Sequence, residues 1–117
     1  MKISILLPYK ENYSPLYPGA VSLFINSMNK ISFFKNNITV YGSTNLKEKF
    51  SDNYVNIELK KTFLKSQTKD YVNKFVDLHL AKDVDIIEIH NRPNYINFLK
   101  NLRAKKVLYF HNDPISM

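Results

Sequence analysis

The sequence predicts a single α/β domain over residues 1–117, a Rossmann-like, mainly parallel sheet with helices on both faces. Three observations predict it. A chain of 117 residues, 44% hydrophobic and 23% charged, has the size and composition of one globular domain with a real core. Short apolar runs rich in branched residues alternate with stretches whose apolar residues recur at helical spacing. The resulting order is β-α-β-β-α-β-α-β, the alternation that builds parallel sheets covered on both sides.

Ile3 to Leu7 is a continuous apolar run stopped by Pro8, as suits a strand buried on both faces. A long loop follows, Tyr9 to Gly19, holding Tyr9, Tyr13, Tyr17, Pro15, Pro18 and Glu11. Loops of this length in a compact domain are functional or mobile. Ala20 to Phe33 places Val21, Phe24, Ile25, Met28 and Ile31 on one helical face. Ile38 to Tyr41 reads as a short strand closed by Gly42, and Ser43 to Phe50 has room for a short helix. Tyr54 to Leu59 alternates Val55, Ile57 and Leu59 as a strand does. Gln67 to Lys82 carries Tyr71, Val72, Phe75, Val76 and Leu80 on one helical stripe. His79, beside apolar neighbours there, reads as structural.

Val84 to Ile89 is the next apolar strand. Pro93 then begins a helix, since proline is tolerated in a first turn, with a stripe of Tyr95, Phe98, Leu99 and Leu102. Lys106 to Phe110 is the last strand, and the sequence stops seven residues later with no helix to cover it. The expectation is a fragment truncated at its C-terminal end, or half of a two-domain design.

Seventeen basic and ten acidic residues give a net charge of +7. Such a balance suits an anionic partner: nucleic acid, a phosphorylated substrate or a membrane surface. Only Arg92 and Arg103 are arginines, however, and the lysine pairs Lys60-Lys61 and Lys105-Lys106 are short and separated. Nucleic-acid sites lean on arginine and clustered charge. The excess is better explained by an AT-rich genome, which enriches Lys, Asn and Ile together, and no nucleic-acid partner is expected. Without cysteine there is no disulfide framework and no thiolate metal site. The apolar N-terminal run is too short for a signal-peptide core, and no segment is long enough to span a bilayer.

In open parallel sheets, ligands bind beyond the carboxyl ends of the strands. Those ends carry Tyr9-Lys10-Glu11, His90-Asn91-Arg92 and His111-Asn112-Asp113, so two strands each deliver His-Asn plus a charged residue to one edge. A strand-end histidine also serves as a plain structural hydrogen-bonder. Arg92 either caps the following turn or grips a phosphate or carboxylate. Asp113 suits a turn before Pro114. The Pro18-Gly19-Ala20 junction is either an ordinary turn or a place where a phosphate approaches the helix N-terminus. A dinucleotide fingerprint, a P-loop, a nucleophile elbow and the acidic cluster of a response regulator are all missing. Three scattered histidines do not define a zinc site.

Four segments together resemble a known family. They are Ile3-Ser4-Ile5-Leu6-Leu7-Pro8, Pro18-Gly19-Ala20-Val21, the stretch from Asp85 to Pro93 ending His90-Asn91-Arg92-Pro93, and the stretch from Val107 to Pro114 ending His111-Asn112-Asp113-Pro114. In this order they resemble the N-terminal domain of glycosyltransferase family 4, the retaining sugar-nucleotide enzymes of the two-domain GT-B fold. The fold implied is the N-terminal half of a GT-B enzyme.

The resemblance implies hexosyl transfer from a sugar nucleotide to a glycan or lipid-linked acceptor in cell-surface polysaccharide synthesis. His111 and Asp113 would be the catalytic positions, with His111 beside the transferred sugar. Gly19 and Ala20 would meet the donor diphosphate. Glu11, His90, Asn91, Arg92 and Asn112 would line the acceptor side. Same-face attack through an oxocarbenium-like transition state needs charge stabilisation of the leaving diphosphate rather than a strong protein nucleophile. No cofactor and no metal is implied. The location would be cytoplasmic, with peripheral contact to an anionic inner membrane as an option. Many members have Gly-Gly where this chain has Gly19-Ala20, and the family's nucleotide-binding C-terminal domain lies outside this sequence. Alone, the chain is expected to bind sugar nucleotide poorly and to transfer nothing. The alternative is a non-catalytic Rossmann-like module that binds a nucleotide or a glycan.

Overall fold

The computed structural model describes residues 1–59 and 67–111. Its strands are β1 (Ile3–Leu6), β2 (Ile38–Gly42), β3 (Tyr54–Asn56), β4 (Ile86–His90) and β5 (Lys105–Tyr109). Its α-helices are α1 (Ala20–Ile31) and α2 (Gln67–His79). The strands form one all-parallel sheet in the order β3-β2-β1-β4-β5. This is the expected α/β, Rossmann-like architecture. The chain leaves β1 towards β2 on one side and returns to β4 on the other, so the topological switch point lies between β1 and β4.

Alternation along β1 assigns the two faces. Ile5 and Leu7 pack with Ile38, Val40 and the α1 residues Val21 and Ile25. Leu6 points the other way, into a core of Tyr41, Ile87, Ile89 and the α2 residues Tyr71, Val72 and Phe75. Helices thus cover both faces, and each fully buried apolar side chain contributes about 1.5–3 kcal/mol. Tyr71 also ties α2 to the end of β1, its hydroxyl donating to Leu7 O at 2.7 Å. Pro8 has no N–H to continue the ladder, whose last bond on that side runs from Leu7 N to Tyr41 O at 2.9 Å.

Several boundaries differ from the sequence reading. The helix expected from Pro93 is a 3-10 helix over Pro93–Phe98. Its bonds run three residues back, from Tyr95 N to Arg92 O and Leu99 N to Ile96 O, with a further turn from Leu102 N to Leu99 O. Tyr95, Leu99 and Leu102 are still buried. Their stripe was real, but a spacing of three to four residues does not distinguish a 3-10 from an α-helix. Ser43 to Phe50 forms no helix; Thr44 Oγ1 there accepts from Leu46 N at 3.3 Å and competes with helical bonding. The strand expected over Tyr54 to Leu59 pairs only over Tyr54–Asn56.

The long first loop is pinned rather than loose. Tyr13 is fully buried between Phe50 and Tyr54, and its hydroxyl meets Ser51 Oγ at 3.0 Å. Among the described residues no helix is long and apolar enough to cross a membrane.

Candidate functional site

The site begins with strand parity. Glu88 and His90 of β4 pair with Val107 and Tyr109 of β5 and share the α1 face of the sheet. His90 is 1% exposed. Phe24 of α1 lies against this patch, its ring centroid 5.0 Å from Tyr109 and 4.8 Å from His111. At the strand end, Asn91 takes the left-handed conformation (φ 55°), which asparagine tolerates better than most residues. That turn lets its N–H reach Tyr109 O at 2.9 Å while its side-chain Oδ1 accepts from His111 N at 2.7 Å. Asn91 therefore staples the ends of β4 and β5 together.

The two histidines are brought into direct contact. His90 Nδ1 and His111 Nε2 lie 2.8 Å apart, a hydrogen bond in which only one nitrogen carries the proton. Behind them, Glu88 Oε1 stands 3.3 Å from His90 Nε2, longer than a tight charge-assisted bond. His90 Nε2 is buried and makes no hydrogen bond among the described residues, so Glu88 reaches it only at ion-pair distance. The bond to His90 engages His111 Nε2 and leaves His111 Nδ1 without a protein partner among the described residues. Burial, and then the neighbouring His90, lower the His111 pKa below its ordinary value, against an opposing pull from Glu11 and Glu88. A neutral imidazole results near pH 7.

Glu11 joins the same neighbourhood from the first loop. Gly19 is the N-cap of α1 and offers no side-chain cap. Glu11 supplies one from outside the helix: its Oε2 accepts from Ser22 N at 3.1 Å. The carboxylate occupies the space beside Gly19 where a Cβ would stand. Gly19 has an ordinary extended backbone, so it is needed for room and not for an unusual φ. The place read as a donor-phosphate position at Gly19 and Ala20 thus holds a protein carboxylate.

Arg92 turns back on its own chain, its Nη1 donating to Asn91 O at 2.8 Å, and it is exposed. Asn112 and Asp113 lie outside the described residues. Of the residues singled out by sequence, Glu11, Gly19, His90, Asn91 and His111 come together, and Arg92 stands at the rim. Glu88 and Phe24 escaped that reading. Glu88 was visible as an acidic residue inside an apolar strand, two positions before His90 and therefore on its face. Phe24 was read only as core.

Among the described residues no group of three or more His, Cys, Asp and Glu is arranged to hold a metal. A cavity of about 900 Å³ at this edge is lined from the ends of β1, β2 and β3 and includes none of the histidines. Comparison of the chain with protein-family models, with curated proteins and with solved structures finds no match.

Proposed function

We propose that this chain is the acceptor-side domain of a retaining glycosyltransferase that moves a sugar from a sugar nucleotide to a glycan or lipid-linked acceptor. One observation carries the reading. His111 is held by His90 and Asn91 at the carboxyl edge of a parallel sheet, one strand from the switch point and within the electrostatic reach of the Glu11 carboxylate at the start of α1. That is where open α/β sheets bind ligands. A neutral, oriented imidazole there can hold a hydroxyl of the transferred sugar without competing as a cation for the leaving diphosphate.

The donor diphosphate would take the α1 N-terminus, and Glu11 must then swing away. The nucleotide would be held by a second domain, so the isolated chain binds donor weakly and turns nothing over. Sugar nucleotide is substrate here, and neither a metal nor a cofactor is invoked. The net charge of +7 suits peripheral contact with an anionic membrane on the cytoplasmic side, where polysaccharide precursors are assembled.

One observation favours a second reading, a non-catalytic glycan- or nucleotide-binding module: Glu11 already satisfies the helix terminus that a phosphate would need. Two experiments separate the readings. The reading frame beyond the codon for Met117, and its neighbours, should encode a second α/β domain with paired glutamates for the nucleotide. Nucleotide release from sugar nucleotides should then be seen only with both domains, and His111→Ala should lower it by about 100-fold or more. Turnover by the isolated chain, or an unaffected His111→Ala enzyme, refutes the proposal.

A further inference from the structure

The cavity of about 900 Å³ has no role in the proposed sugar transfer, yet it opens at the same ligand-binding edge. Its walls follow three consecutive strand ends: Lys10 after β1, Ser43 after β2 and Ile57 after β3. At about 900 Å³ it has the volume of a small-molecule site. From the geometry we infer that this cleft binds the acceptor, and that the acceptor is an anionic saccharide, carrying a carboxylate or a phosphate. The inference rests on the sugar-transfer reading for the word acceptor, but not for the binding itself.

Charge is the first argument. Three lysines, Lys10, Lys47 and Lys49, line the cleft against one carboxylate, Glu58. Lys49 is built into the wall: its Nζ donates to Leu46 O and lies over the Tyr54 ring. Glu58 is engaged with it electrostatically and accepts from Asn56 Nδ2 at 3.4 Å. Lys10 and Lys47 are exposed and have no ion-pair partner among the described residues. Lys10 Nζ lies over the Tyr9 ring at 5.6 Å, so neither ammonium group at this concave surface is neutralised by a carboxylate.

The polar lining is the second argument. Thr44 is 5% exposed and fixes its loop: its N–H donates to Asn56 Oδ1 at 3.0 Å and its hydroxyl to Asn12 Oδ1 at 2.9 Å. The flanking side chains of Ser43 and Asn45 make no hydrogen bond among the described residues. A rigid loop presenting a free hydroxyl and a free amide suits the vicinal hydroxyls of a sugar. Tyr9, half-buried, also lines the cleft and is fixed there, its ring packed against Tyr71 and its hydroxyl donating to Gln67 Oε1 at 3.1 Å.

Lys10 adds the third. It is held at φ 67°, a left-handed conformation that costs a lysine about 1–2 kcal/mol. Strain of this kind gathers at ligand sites. The cleft and His111 are separated by two to three strand spacings, roughly 10–15 Å. A saccharide anchored by its anionic group could therefore extend across β1 to the histidines.

Backbone amide NMR titrations of the whole chain at constant ionic strength test the inference, with glucuronate, glucose 6-phosphate, glucose, inorganic phosphate and UMP as probes. Glucuronate or glucose 6-phosphate should shift Ser43, Asn45 and Lys47 and saturate, with glucose and inorganic phosphate at least about tenfold weaker. The double variant Lys10→Gly, Lys47→Glu should weaken that binding at least about tenfold while resonances elsewhere stay in place, since glycine accepts the positive φ. The inference is overturned if no probe binds there, if glucose binds as well as its charged forms, if bare phosphate binds as well as the sugar acids, if UMP is preferred, or if the variant binds like the parent. Because no donor is present, such a failure leaves the transferase reading standing. An inactive two-domain enzyme would equally leave the binding result intact.

Discussion

Two histidine environments in this domain differ in one respect, and it separates a fold contact from a ligand contact. His79 lies in the α2 core, with Nδ1 at 2.7 Å from Phe75 O and Nε2 at 2.8 Å from Ser4 Oγ. A carbonyl only accepts, so Nδ1 carries the proton and Nε2 accepts from the serine hydroxyl. Phe75 and Tyr41 close around the ring. Nothing of this imidazole is left to bind a ligand. The His90–His111 pair lies in an aromatic setting too, but its row of bonds runs outward and ends at the rim. His111 Nδ1 has no protein partner among the described residues. Burial alone does not mark a functional histidine; an unspent nitrogen at the sheet edge does.

The largest expected effect tests this division. His79→Ala removes a buried ring, two hydrogen bonds and the partner of Ser4, and should cost about 2–4 kcal/mol in urea denaturation. His111→Ala should cost less than about 1 kcal/mol, because its ring is only half enclosed. Equal losses would abolish the comparison.

A smaller effect is expected with pH. Burial pushes the imidazoles of both His79 and His111 below their ordinary value. The unfolded chain then binds more protons in the interval between the two values. Stability is therefore full above about pH 6.5 and declines as pH falls towards the folded-state values. The urea midpoint should drop between about pH 7.5 and about pH 5. His79→Gln should flatten that drop more than His111→Gln, since its ring is the more deeply enclosed. A drop untouched by either substitution would assign the acid sensitivity elsewhere.

These particulars also show what the sequence carried. The strands were legible because each apolar run is short and bounded, as Ile3 to Leu7 is by Pro8. Periodicity found the buried residues of the Pro93 segment but could not fix its helix type, since that depends on whether each N–H bonds three or four residues back. The edge position of His90 and His111 followed from strand order. Their mutual contact did not, because it depends on the register of β4 with β5 and on the left-handed turn at Asn91. Glu11 was read as a strand-end loop carboxylate and, by the resemblance, as an acceptor-side residue, not as a helix cap. Its role at α1 depends on eleven intervening positions folding back, which no local pattern encodes.

Glu11 therefore gives the smallest predicted effect, and one that asks whether the α1 terminus belongs with the satisfied groups or the open ones. Glu11→Ala removes the acceptor of Ser22 N–H and the negative charge facing the helix dipole, at a cost of about 1 kcal/mol. Gly19→Ala should cost about the same, because its Cβ would overlap the Glu11 carboxylate and push it out. The two losses share one contact, so the double variant should lose little more than either single one. Inorganic phosphate then discriminates. If Glu11 stands in for a phosphate, the Glu11→Ala chain should gain about 1.4 kcal/mol at phosphate tenfold above its dissociation constant, and the parent chain should gain none. A Glu11→Ala chain indifferent to phosphate would make the carboxylate a cap and nothing more, and the module reading would then be preferred to sugar transfer.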